Sequence, residues 1–165
     1  MVMFTIPEVK QFMAKLLTQN AFDNFILREL ELQTFMSYSL NGKLNEAFFS
    51  TEELKERRSV RYALWSEVRS IAYTMIKGNK TPLSMKIVFQ LSEDLTDVLV
   101  GQTGGRISPE EVGGLYINIR FENNELHIIT GTAIKTFTLD KTLEQEWDKE
   151  VARFLKEQDI VSTLA

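Results

Sequence analysis

Arg61, Trp65 and Arg69 stand at every fourth position, the spacing that stacks side chains along one face of a helix. An indole between two guanidinium groups can hold them by cation–π attraction, worth about 0.5–2 kcal/mol. The same trio can also bind a partner, since Trp and Arg dominate interface hot spots. Its ordinary alternative is a core tryptophan flanked by snorkelling arginines. The stripe lies within a basic island. From Lys55 to Lys86 the sequence carries eight cations and two anions, a local charge of +6 that leaves −10 elsewhere. An anionic partner, nucleic acid included, suits such a segment. Neutralisation by the acidic C-terminal region is the alternative.

A second candidate is rich in glycine. Five of the eight glycines lie between Gly101 and Gly114. Gly104, Gly105 and Arg106 can offer backbone amides and a charge to a phosphate-bearing ligand. The nucleotide-binding fingerprints need a strand before the glycines and a long helix after them. Ser108-Pro-Glu-Glu111 opens only one helical turn before Gly113 stops it, so a surface loop is the plainer reading.

Catalytic constellations are missing. His127 is the only histidine and there is no cysteine, which excludes His pairs, thiolate metal sites and disulfides. No nucleophile motif is present. The acidic pairs Asp94/Asp97, Glu110/Glu111 and Glu122/Glu125 fall at helix starts or beside turns, where carboxylates serve the helix dipole and solvation. The chain of 165 residues has formal charge −4, the wrong overall sign for a general nucleic-acid binder. No run of about 18 apolar residues is present to span a bilayer. Absence of a signal-peptide pattern and of cysteine points to a cytoplasmic location.

These residues must be positioned by about a dozen elements. Met1–Ile6 reads as a first strand. Thr5-x-x-Glu8 matches a capping box, ahead of a helix whose apolar face is Val9, Phe12, Met13, Leu16 and Leu17. Alternation from Phe25 predicts a long strand, an Asn41-Gly42 hairpin turn and a returning strand to Phe49. Ser50–Ser59 is a loop or short helix. Tyr62–Lys77 is a broad apolar helix with Gly78 as its C-cap. Leu83–Leu91 alternates cleanly, and Ser92 caps a short helix to Val100. A meander of three strands follows: Leu115–Phe121, Leu126–Thr130 and Ile134–Leu139, with Gly131 breaking the last two apart. Asp140 and Thr142 are the cap candidates for the final helix, which carries Leu143, Trp147, Val151, Phe154 and Leu155. The pattern is α+β in one domain, 1–165, with three main helices and a mostly antiparallel sheet of roughly six to eight strands. It can be divided into two β-α-β-β-β-like halves.

Three segments carry a resemblance: Tyr62-x-x-Trp65-x-Glu67-Val68-Arg69, Thr81-Pro-Leu-Ser-x-Lys86-Ile-Val-Phe-Gln-Leu91 and Gly113-Gly-Leu-Tyr-Ile-Asn-Ile-Arg120. With Ala133-x-Lys135-Thr-Phe-Thr-Leu-Asp140 and Trp147-Asp148, they make the protein resemble an uncharacterised bacterial family, a domain of unknown function. That resemblance implies one intact domain and assigns no activity, cofactor or site residue. More remotely, the repeated helix-and-meander pattern is similar to the halves of DNA sliding-clamp proteins. The expectation from sequence is a non-catalytic cytoplasmic interaction module without cofactor or metal, meeting a protein partner through Arg61, Trp65 and Arg69. Nucleic-acid association through Lys55–Lys86, clamp-like or otherwise, is the alternative. A phosphate or nucleotide ligand on Gly104, Gly105 and Arg106 comes third.

Overall fold

Alternation of apolar and polar residues in Met85-Lys86-Ile87-Val88-Phe89 sends every second side chain to one face of a strand. The same parity runs through five strands. A computed structural model of the protein describes residues 1–59, 61–76 and 80–165. In it, β1 (Met3–Ile6), β2 (Ile26–Gln33), β3 (Ser37–Asn41), β4 (Ser84–Gln90), β5 (Val112–Glu122), β6 (Glu125–Ile134) and β7 (Thr163–Leu164) form one sheet in the order β3-β2-β4-β5-β6-β1-β7. Every adjacent pair is antiparallel. The register aligns Leu30 with Ile87, Ile87 with Ile119, Ile119 with Ile128 and Ile128 with Phe4, so one continuous apolar row crosses the sheet.

Helices close over that face. α1 (Val9–Leu17), α3 (Trp65–Ile76), α4 (Glu93–Gly101) and α5 (Thr142–Glu157) send their buried residues into one core cluster with the inner strand residues, while the short α2 (Thr51–Glu56) buries none. The fold is α+β, with four helices of nine residues or more among the described residues: the three main ones and the short helix expected after Ser92, which is α4. Trp65 packs edge-on to Phe89 and donates its indole N–H to the Leu16 carbonyl at 2.8 Å. The Trp147 indole likewise donates to the Tyr116 carbonyl, at 3.0 Å. Phe22 and Phe25 stack on Phe89, and Phe154 meets both edge-on. The outer face keeps the polar half of each strand.

Four local expectations are corrected. The hairpin turn lies at Thr34–Met36, between Gln33 and Ser37, and not at Asn41-Gly42. Gly42 is buried instead: a Cβ there would lie 1.9 Å from the Leu27 carbonyl oxygen. The backbone passes too close to β2 for any other residue, and residues 43–49 hold a short 3-10 turn in place of a strand. Gly131 does not break the meander, because β6 runs through it to Ile134, and 135–141 is irregular. The box foreseen at Thr5-x-x-Glu8 does not form. Glu8 and Lys141 occupy the cap positions without side-chain caps, although Asp140 accepts the Thr142 N–H at 2.8 Å. The foreseen Gly78 cap lies outside the described residues. As expected, Asn123 and Asn124 turn β5 into β6, both at positive φ.

Gly42→Ala is expected to lower stability by at least about 1–3 kcal/mol, the usual cost of forced overpacking. Gly101→Ala, where a Cβ meets nothing within 4 Å, should be neutral or stabilising by up to about 1 kcal/mol in its helix. Urea denaturation of the two variants checks the contrast.

Candidate functional site

β2 carries one residue more than its partner needs. Leu27 pairs with Phe89 and Glu29 with Val88, leaving Arg28 as the extra residue of a bulge. Bulges re-aim side chains, and this one puts Arg28 on the outer side next to Glu29. The guanidinium is half-buried. Its Nη1 donates to Gln90 Oε1 at 2.7 Å and to the Tyr116 hydroxyl at 3.2 Å. Tyr62 lies against it with the ring centroid 4.2 Å from the guanidinium carbon, and the Tyr116 ring is 5.8 Å away. Every one of these partners is neutral. Nη1 is saturated by two bonds, while Nε and Nη2 make none among the described residues. That free edge is the one that takes a carboxylate or phosphate in two parallel bonds.

The neighbours are placed by equally local causes. Gln90 and Tyr116 are cross-strand partners. Both crowd Gly114, where a Cβ would meet the Tyr116 hydroxyl at 2.8 Å and Gln90 Nε2 at 2.9 Å. Tyr62 sits on the connector between α2 and α3, which is bridged to β2 from Leu64 to Ile26 and to the segment after β3 from Tyr62 to Lys43. The connector is pinned by Arg57, whose guanidinium grips both Glu67 oxygens at 2.8 and 2.6 Å, while Glu67 also accepts the Leu64 N–H at 3.0 Å. The Arg57 bonds hold the Glu67 carboxyl below its ordinary range.

Arg28 lies on the wall of an open groove of about 750 Å³ at this end of the sheet. Cationic Arg58, Arg61 and Lys135 line it with Arg28, and Glu93, Asp94 and Asp97 supply opposite charge from the first half of α4. None of the seven takes part in an ion pair among the described residues, whereas carboxylates and cations elsewhere pair freely. No group of three His, Asp or Glu side chains among the described residues is arranged to hold a metal ion.

The stripe expected at Arg61, Trp65 and Arg69 is not assembled. α3 begins at Trp65, so Arg61 precedes the helix on the extended connector. Trp65 is 0% exposed, since its ring belongs to the apolar belt of α3. Arg69 turns to Asp23, bonding both carboxylate oxygens at 2.9 and 3.1 Å. Only Arg61 reaches the groove. The basic island is partly neutralised, and among the described residues none of its partners comes from the acidic C-terminal helix. Glu67, Asp23 and Glu29 pair with Arg57, Arg69 and Lys86, while α5 pairs its carboxylates largely with its own cations.

Gly104 and Gly105 adopt positive φ with open space around them, as a surface turn requires. Arg106 leaves that turn to face Asp140 at 3.5 Å and Thr142 at 3.4 Å, beside a small cavity of about 140 Å³. The three are therefore not gathered around a free anion site. The other end of the same glycine-rich stretch, Gly113-Gly114, does line the main groove. His127 sits half-buried on the outer face, 3.9 Å from Glu125. Sequence reasoning missed Arg28 and Tyr62. The signal for Arg28 was the break in alternation at Leu27-Arg28-Glu29.

Residues 15–162 match the model of a family of unknown function, DUF5721, and the protein belongs to that family. No curated protein and no solved structure matches it. Among the described residues no helix is long and apolar enough to cross a membrane.

Because the Glu67 pKa is lowered in the fold, its ion pair contributes stability above the ordinary value of 4.5 and loses it as pH falls through the depressed value. The difference in urea midpoint between wild type and Glu67→Gln is expected to be constant near neutrality and to shrink on acidification below 4.5.

Proposed function

We propose that this protein is a non-catalytic interaction module, cytoplasmic and of bacterial type as its sequence suggests, that recognises an anionic group of its partner through the Arg28 groove. One observation carries the reading. Among the described residues a half-buried guanidinium is held in place by neutral atoms only, with its bidentate edge left open. Burying a cation without a counter-charge is costly, and a fold that merely needed to fill this position could use an apolar residue. A ligand carboxylate or phosphate would supply both the missing charge and two strong hydrogen bonds. The contact surface expected at Arg61, Trp65 and Arg69 thereby shrinks to Arg61 on the rim.

Nucleic-acid binding has less support. Three cations of the basic island are already paired, and three carboxylates line the groove that Arg58 and Arg61 face. A clamp-like arrangement would need an unopposed cationic surface. The Arg106 loop likewise offers a cation that already faces Asp140.

NMR titration with sodium acetate and with inorganic phosphate tests the proposal. Either anion is expected to shift the backbone amides of Gly113 and Gly114 and the side-chain amide of Gln90. Arg28→Gln should abolish the response, and Arg106→Gln should preserve it. An absence of shifts with both salts, or an unchanged response in folded Arg28→Gln, would overturn the reading.

A further inference from the structure

The groove is built for charges of both signs, and its walls expose backbone as well. Arg28, Arg58, Arg61 and Lys135 line it together with Glu93, Asp94 and Asp97, yet no cation meets a carboxylate within it among the described residues. Opposite charges that stand around one cavity without pairing leave room for something between them. A nucleotide or polyphosphate would bring several negative charges against three carboxylates, and like charges disfavour such a ligand. A ligand with separated negative and positive groups meets no such conflict.

The backbone narrows the class further. The ladder between β4 and β5 ends at Gln90–Tyr116, extended only by the bond from the Leu91 N–H to the Leu115 carbonyl at 2.9 Å. Val112, Gly113 and Gly114 therefore have no strand on the β4 side. On the other side, a bulge pairs Val112 with Ile134 and Gly114 with Ala133, which leaves Gly113 without a partner residue. Gly113 is exposed and carries no side chain to shield its peptide groups. Within this stretch Gly113 is exposed, Val112 half-buried and Gly114 buried, and exposed extended backbone beside a cavity is the geometry that accepts another polypeptide by strand addition. A volume of about 750 Å³ is in the range of sites for ligands larger than a single small anion.

We infer that the groove binds a short extended peptide segment, with a carboxylate on the open edge of Arg28, a basic side chain on the Asp94 and Asp97 wall, and main-chain bonds to Val112 and Gly113. This rests on the anion reading of Arg28 and goes beyond it in naming the partner as polypeptide with both charges. The carboxylate comes from the peptide's own C-terminus or from an acidic residue within it; the chemistry offered to Arg28 is the same.

Four probes read out by calorimetry separate the parts. N-acetyl-glycyl-lysyl-glycine as the free acid is expected to bind at least about tenfold tighter than its C-terminal amide, in keeping with a charge-assisted bond. The norleucine analogue of the free acid should bind about two- to fivefold more weakly than the lysine peptide, the usual scale of a partly exposed ion pair. That difference should vanish in the Asp94→Asn, Asp97→Asn double variant. N-acetyl-glycyl-lysyl-aspartic acid α-amide, whose only carboxylate is the aspartate side chain, supplies the side-chain source: binding equal to the free acid assigns the site to acidic side chains, and binding equal to the glycine amide assigns it to C-termini. Apart from the Asp94→Asn, Asp97→Asn control, these comparisons use the wild-type protein, and none depends on how well Arg28 variants fold. If acetate shifts the groove but the peptides bind no tighter than acetate, or lysine and norleucine peptides bind alike, the peptide inference falls while the anion reading stands. If acetate and phosphate also both fail, both readings fall.

Discussion

Trp65 holds α3 against α1 through an indole N–H that reaches the Leu16 carbonyl in the interior, where water does not compete for either group. Its ring packs edge-to-face with Phe89 of the interior strand β4. One side chain thus ties two helices to the middle of the sheet. The arrangement is demanding, because a buried indole without an acceptor would leave a polar group unsatisfied. Among the described residues no buried side-chain N or O lacks a partner. With all the major helices drawn to the inner face, the opposite face and the ends of the sheet are left to carry polar side chains.

That division explains where the charges go. Cations close to helix-bearing loops find carboxylates at once: Arg57 finds Glu67 and Arg69 finds Asp23. Both pairs are partly exposed, so their worth lies more in fixing loops than in net stability. Arg57 fixes the connector that carries Tyr62 over Arg28. The groove is therefore supported by paired charges behind it and bordered by unpaired charges within it, a contrast that helix propensity or packing alone would not produce.

Much of this was legible in the residues. The alternation of β4, the Asn123-Asn124 turn and the apolar faces of α1 and α5 each follow from side-chain period. The hairpin between β2 and β3 was displaced for a definite reason. A three-residue loop at Thr34–Met36 returns the strand with its parity intact, so Leu30, Leu32, Tyr38 and Leu40 fall on one face whether the backbone turns there or runs straight on. Parity could not tell the two apart, and Asn-Gly was the more familiar turn. The Arg61, Trp65 and Arg69 stripe failed because its spacing presumes a helix that starts four residues too early. Arg106 looked free because Asp140, its neighbour in space, is 34 positions away. The groove depends on a bulge, a connector and two strand ends brought together by tertiary structure, and only its glycine pair stood out in the sequence.

Arg28 has one further property as a supernumerary residue. Read without it, the strand becomes Leu27-Glu29-Leu30-Glu31-Leu32-Gln33, in which inward and outward positions alternate without interruption. The pairing from Leu27 to Phe89 and from Glu29 to Val88 already treats the two residues as consecutive. The scaffold and the binding group are thus separately encoded: a change of one codon could add or remove the guanidinium while leaving the hydrophobic parity of the strand unaltered. Such modularity would let proteins of this fold differ in what they bind without rebuilding what holds them together.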